Sequence, residues 1–273
     1  MNFLPNIKST LIGLAALMIA PSIASADQFA LMDRVEGGTG AEVTLGAIII
    51  ENADGLVLKN DYHFQLGLDA LSVYAFVPTT HLVGDDMNTA MGNIEAGIVG
   101  KTEFAGLSMA YRFGVSAPTA SGSADLFGMA DLITNAYGAM ADPSNITAGL
   151  HDVLGIRSSV SPEIDLGPVF VRADIGTDIL IGMGDGADTA EVLLRVNAAA
   201  GFDLGMVQLA AESVNSFILT ESDADPLSSV GVTAAFGIDA ATVFAGVSVP
   251  LSSGLADVQG QPVVVSTGVR VGF

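Results

Sequence analysis

The chain has three histidines, His63, His81 and His151, and any general-base chemistry would have to rest on one of them or on a carboxylate. No Gly-x-Ser-x-Gly elbow, His-Glu-x-x-His string or phosphate-binding loop accompanies them. The 273 residues include no Cys, which excludes a thiolate nucleophile, a thiolate zinc site and a disulfide scaffold. Gly84-Asp85-Asp86 and Asp223-Ala224-Asp225 offer oxygen ligands to Ca²⁺, yet neither has full calcium-loop spacing. Solvated acidic loops are the plainer reading of these strings, and neither a metal nor a cofactor is expected. Catalytic residues are expected to be none. A formal net charge of −21 argues against nucleic acid, which needs basic surface to neutralise phosphates.

The scarce basic residues carry more information. Arg112, Arg157, Arg172, Arg195 and Arg270 all fall in segments where apolar residues alternate with small or polar ones, the period-2 signature of strands. Each lies on the face opposite the apolar one, as do Glu95, Asp174, Asp178, Glu191 and Glu212. In one such segment Leu107, Met109, Tyr111, Phe113 and Val115 oppose Ser108, Ala110, Arg112, Gly114 and Ser116. In another, Val169, Val171, Ala173, Ile175, Thr177 and Ile179 oppose Phe170, Arg172, Asp174, Gly176 and Asp178. At the C-terminus Val263, Val265, Val269, Val271 and Phe273 share a face.

Twelve candidate strands follow, at roughly 43–51, 61–69, 71–79, 92–101, 104–117, 149–162, 168–181, 189–201, 205–218, 227–238, 241–251 and 262–273. Most have about the 9–11 residues of a tilted membrane strand. Tight connections at Asp69-Ala70, Thr102-Glu103, Glu163 to Gly167, Asp203-Leu204 and Asp239-Ala240 alternate with longer, mostly acidic ones at 52–60, 80–91, 118–148, 182–188, 219–226 and 252–261. Short turns at one end, long loops at the other and an even strand number describe a transmembrane antiparallel up-and-down β-barrel. A secreted β-sandwich is the competing fold, but its outward faces would not be so free of charge. The ten charged side chains are then lumen-lining. They serve either as ion pairs that satisfy a filled interior or as a ring that selects solutes.

Residues 1–26 read as a cleaved signal peptide, with Lys8, the apolar stretch Leu11 to Ala20 and the small-residue site Ala24-Ser25-Ala26. A retained anchor helix is the alternative. Residues 27–42 would be a periplasmic N-terminal segment able to thread into the lumen, and 43–273 the barrel. In the longest loop, 118–148, residues Asp125 to Met140 have helical spacing, with Ser123 as N-cap and Asp142-Pro143 as the stop. This helix-bearing extracellular loop would be a lid, plug or constriction, or else an inert cap. Localisation in the outer membrane of a Gram-negative bacterium follows, with outer-membrane lipid as a partner. The aromatic girdle is thin, with no Trp, though Phe104, Phe202 and Phe273 fall at periplasmic strand ends.

Two strings resemble a known family. Gly92-Asn93-Ile94-Glu95-Ala96-Gly97-Ile98-Val99-Gly100-Lys101, followed by a strand closing in Arg112-Phe113-Gly114-Val115-Ser116-Ala117-Pro118-Thr119, is similar to the outer-membrane barrels linked to the meta-pathway of phenol degradation, relatives of FadL-like hydrophobic-compound channels. Ala211-Glu212 and the closing Val-Gly-Phe are also similar. Asn93 stands where that family often has Asp. The resemblance implies passive passage of small hydrophobic or aromatic solutes. The closing Phe273 resembles the C-terminal aromatic signal of outer-membrane barrels, which implies recognition by the barrel-assembly machinery. Inward Tyr74, Phe76 and Phe170 would supply apolar solute contacts. The alternatives are a closed structural or surface-interaction protein with an ion-paired interior, and an outer-membrane hydrolase using Ser or Asp with His near the rim.

Overall fold

In a computed structural model the described residues are Met32, 38–49, 56–68, 71–83, 88–104, 107–120, 142–184, 190–220, 225–251 and 262–273. The strands are β1 (Gly40–Ile49), β2 (Leu56–Leu68), β3 (Leu71–Val83), β4 (Asn88–Met91), β5 (Glu95–Phe104), β6 (Leu107–Ser116), β7 (Val153–Leu166), β8 (Val169–Gly182), β9 (Ala190–Asp203), β10 (Val207–Ile218), β11 (Leu227–Ile238), β12 (Ala241–Pro250) and β13 (Val263–Gly272). Consecutive strands pair antiparallel, except that β4 and β5 both pair with β3. β1 also pairs with β13, from Gly40↔Gly272 to Ile49↔Val263, and closes the sheet. β4 and β5 lie along the same edge of β3 and act as one interrupted strand, so the barrel has twelve staves.

The sequence reading of the strands holds, with local corrections. The interruption at 92–94 is one. Thr79 pairs Met91 and Phe76 pairs Glu95, so two residues of β3 face three on the other side. This is a β-bulge. Its cause is Pro78, which has no N–H for the ladder. Its carbonyl instead accepts from the Gly92 N–H at 3.0 Å.

A second correction concerns 149–162. Residues Pro143–Gly149 form a 3-10 helix, η1, and the strand runs Val153–Leu166. Asp152 has φ 52°, a left-handed kink that a strand cannot carry. Pro143, expected with Asp142 to end a helix in the long loop, is the first residue of η1. The expected helix over Asp125 to Met140 lies outside the described residues, as does the signal peptide.

The tight turns sit two or three residues later than expected at two places. Phe104 pairs Leu107, and Leu166 pairs Val169. Gly167, at φ 75°, takes the turn that Glu163 to Gly167 was expected to occupy. The Asp239-Ala240 turn is as expected, with Asp239 at φ 52°.

Burial in this molecule is inverted. Large apolar side chains are exposed around the whole outer wall, among them Leu45, Phe64, Val73, Phe113, Ile175, Leu209, Val232 and Val265. Away from the strand ends, charged side chains point inward and most are buried. Only a bilayer makes that distribution favourable, because it removes the outer apolar surface from water while the β1–β13 closure leaves only the short β4 with a single ladder partner among the described residues. The fold class is therefore the transmembrane β-barrel. Phe104 and Phe202 are exposed at the rim where the tight turns lie. The last residue, Phe273, donates its backbone N–H to Thr39 O at 2.9 Å beside the β1–β13 seam.

Candidate functional site: the barrel lumen

Alternation sends every second side chain into the lumen, and the lining is not uniform around the ring. On β3 to β9 it is charged. The Tyr74 hydroxyl donates to Glu95 Oε1. Arg112 Nε donates to Tyr74 Oη at 2.9 Å and its Nη2 to Glu95 Oε1 at 2.8 Å. The Arg112 guanidinium also stands 4.3 Å over the Tyr74 ring, and His63 stacks on the same ring at 5.6 Å. Arg157 Nη1 donates to Glu95 Oε2 at 2.9 Å, and its Nε lies 3.5 Å from Asp178 Oδ1. Arg195 Nε lies 3.0 Å from Asp178 Oδ2, and its Nη1 lies 3.7 Å from Asp174. Ser161 Oγ donates to Asp174 Oδ2 at 2.7 Å. The result is one chain of contacts running from His63 on β2 to Arg195 on β9.

Close approach across β6 depends on Gly114. A Cβ there would sit 2.2 Å from Tyr74 Oη and 2.6 Å from Glu95 Oε1. Arg157, Arg172 and Arg195 are at most 1% exposed, and Asp174 and Asp178 are at 0%. Glu212, on β10, accepts from the Thr233 hydroxyl. Of the ten charged residues expected to line the lumen, eight are buried there. Arg270 is half-buried at the turn end of β13. Glu191 differs: it is exposed at the loop end of β9, where it pairs Leu180. It follows the inward parity but stands at the rim, in water, where the lumen opens.

Tyr74, Phe76 and Phe170 point inward and are buried. Phe170 packs with Ala199, Ala210, Val214 and Met32. Met32 belongs to the expected periplasmic segment 27–42, and it lies inside the barrel. Its N–H donates to Glu212 Oε2 at 3.1 Å. The next described residue, Gly38, is held on the other side, where its N–H donates to Ser72 Oγ and its carbonyl accepts from Gln65 Nε2. Three staves separate β3 from β8, and four separate β2 from β10. The two anchor points of the N-terminal arm thus face each other across the lumen.

The lining changes on β11 to β13 and β1. Ser229, Thr233 and Ala235 are buried on β11, Thr242, Phe244 and Ser248 on β12, and Val264 on β13. In the middle of this wall Ser266 pairs with Gly46 on one side and Gly246 on the other. A Cβ on Gly46 would meet nothing nearer than Lys59 Cβ at 3.7 Å. Near the turns this wall still carries charge, with Glu42 of β1 buried opposite Arg270 of β13, but from Gly46, Ser266 and Gly246 toward the loop end its inward side chains are mostly short and neutral. An apolar depression of about 500 Å³ is on the outer wall, lined by Ala200, Ala211, Ala234, Ala245 and their neighbours, and belongs to the lipid-facing surface.

The histidines are tied into the structure. His151 Nδ1 lies 2.9 Å from Ala120 O and its Nε2 3.0 Å from Asp152 Oδ2. It was expected on a strand and sits instead between η1 and β7. His81 lies 2.9 Å from Thr89 Oγ1 and 2.8 Å from Asn60 Nδ2. Sequence reasoning missed Asn93, Lys59 and Asp142 as site residues. Lys59 Nζ lies 3.1 Å from Asp142 Oδ2, and Asn93 binds the segment after it. The signal for Asn93 was available in Pro78 and Gly92, but only the register shows that they meet.

No protein-family model and no curated protein matches the sequence. Solved structures do. The chain is similar to an outer membrane channel from Pseudomonas putida F1, with TM-score 0.55 and 12% identity over 90% of this chain and 99% of that one. The monoaromatic hydrocarbon channel CymD gives TM-score 0.44 and 10% identity over 87% and 89%. Phospholipase A of the Escherichia coli outer membrane gives 0.38 and 12% over 86% and 92%. The first likeness agrees with the inverted surface and the closed twelve-stave ladder: this is the fold of barrels that sit in the outer membrane of Gram-negative bacteria.

Proposed function

We propose that the protein lets small hydrophobic or aromatic solutes cross the outer membrane passively, along the neutral stretch of its lumen wall beside Gly46, Ser266 and Gly246. The observation that carries this is the uneven lining. The Arg–carboxylate chain on β3 to β9 fills its half with paired, immobile groups, which is a structural task. The Gly46–Ser266–Gly246 row faces it with short side chains that do not demand a hydrated or charged partner. A flat apolar solute sliding there loses little hydrogen bonding with water and gains burial, at about 25 cal/mol per Å². Phe244 and, once Met32 moves aside, Phe170 offer ring faces. The likeness in fold to an outer membrane channel supports the same reading, and the ring nitrogens of His151 and His81, engaged in structural contacts, favour it over a hydrolase. Barrel assembly through Phe273 belongs to the same proposal.

Ser266→Trp tests the path. The indole would fill the space over Gly46 and Gly246 from a half-buried position. Entry of a fluorescent apolar aromatic probe into Gram-negative cells expressing the variant should fall toward that of cells lacking the protein. Val265→Trp, on the lipid face of the same strand, should leave entry unchanged. Equal entry in Ser266→Trp and the parent would refute the path.

A further inference from the structure

Residues 142–149 do not follow the outside of the barrel, as a loop ordinarily would. Ser144, Asn145, Thr147 and Ala148 are buried, and the segment is tied to the wall on several sides. At its start Asp142 meets Lys59 of β2. Arg157 of β7 donates through Nη2 to the Ser144 carbonyl. η1 also packs against β10 and β11, well around the ring from β2. The segment therefore spans the loop-side mouth of the lumen.

Asn93 fixes its other end. Its Nδ2 donates to the carbonyls of Thr147 at 2.9 Å, Leu150 at 2.6 Å and Val153 at 3.3 Å. Its Oδ1 accepts from the Ala120 N–H at 2.7 Å, which ties down the other arm of the same loop. Its backbone N–H donates to Ala148 O at 2.7 Å. One side chain at 0% exposure thus reaches four backbone groups on the two arms of the loop. Gly92 makes the approach possible, because a Cβ there would lie 2.2 Å from Ala148 O.

We infer that segment 142–149 is a fixed strut that sets the width of the pore, and that Asn93 is its positioning residue. A strut anchored at both ends admits solutes by size and shape, without a moving gate. Lys59, whose partner Asp142 opens the strut, pairs with Gly46 in the ladder, so the strut begins beside the open part of the neutral wall. The inference rests on the pore reading above, and the experiment separates the two.

The test is single-channel recording of the refolded mature chain in a planar bilayer, with heat-modifiable gel mobility as the check on folding. Asn93→Ala removes the side-chain bonds, and Gly92→Ala pushes the strut off by contact. Both should raise mean conductance severalfold. Lys59→Met, which acts only at the far end, should raise it less and guards against a bulge variant that does not fold. The chain has no Cys, so Thr147→Cys with Gly155→Cys introduces a single clean pair. An ideal Cβ at 155 lies 3.2 Å from Thr147 Cβ, a few tenths of an ångström short of disulfide spacing. In the Asn93→Ala background the oxidised pair should restore parental conductance, and reduction should release it. Folded variants that all conduct like the parent would overturn the strut. A parent that never speeds solute entry, beside variants that conduct more, would overturn the solute reading and leave the strut standing.

Discussion

Arg157 touches Glu95, Asp178 and the Ser144 carbonyl from a position with no exposed surface. Taking that guanidinium away would leave two buried carboxylates short of a cation, a loss of about 3–5 kcal/mol. Denaturant unfolding of Arg157→Ala in lipid vesicles should show that drop, and an unchanged midpoint would mean that the interior is wetter than described. The inward direction of the five arginines was legible from alternation alone. Their partners were only half legible. Arg157↔Asp178 is a ladder pair, but Arg157 to Glu95 crosses β6 over Gly114, and such a contact needs the register of three strands at once. Asn93 was hidden for a related reason. Its four bonds reach backbone groups between positions 120 and 153, which no local pattern brings together.

At the scale of elements, the period-2 pattern served well because a barrel wall in lipid rewards it at every step. A one-residue slip would turn Ile175, Val171 and Ile179 inward and Arg172, Asp174 and Asp178 into hydrocarbon. Ile175→Arg, at the middle of β8 and 53% exposed to the lipid side, should therefore cost about 2–4 kcal/mol. Reversible unfolding in thin bilayers checks this, and a neutral result would place β8 outside the membrane. The pattern failed at the β3–β4–β5 junction and over 149–152. There Pro78, the Gly92–Ile94 bulge and the Asp152 kink replace strand geometry with bonds to a segment folded into the lumen. Turn positions were off by two or three residues where Thr102-Glu103 and Glu163 look like turn chemistry but keep their ladder partners.

Taken whole, the molecule divides its charges by place. Acidic residues dominate the loops, arginines and their carboxylates brace β3 to β9, and β11 to β13 with β1 are neutral inside from mid-wall to the loop end, with Glu42 and Arg270 near the turns. Composition announced the first of these and alternation the second. The neutral wall emerged only when the ring closed and put Gly46, Ser266 and Gly246 side by side. The most direct measurement compares entry of two solutes of equal size, a small aromatic hydrocarbon and its carboxylate, into vesicles whose outer leaflet is lipopolysaccharide, with and without the protein. The neutral-wall account predicts that the protein speeds the hydrocarbon and leaves the carboxylate at the background rate. Equal acceleration of both, or of neither, would contradict it.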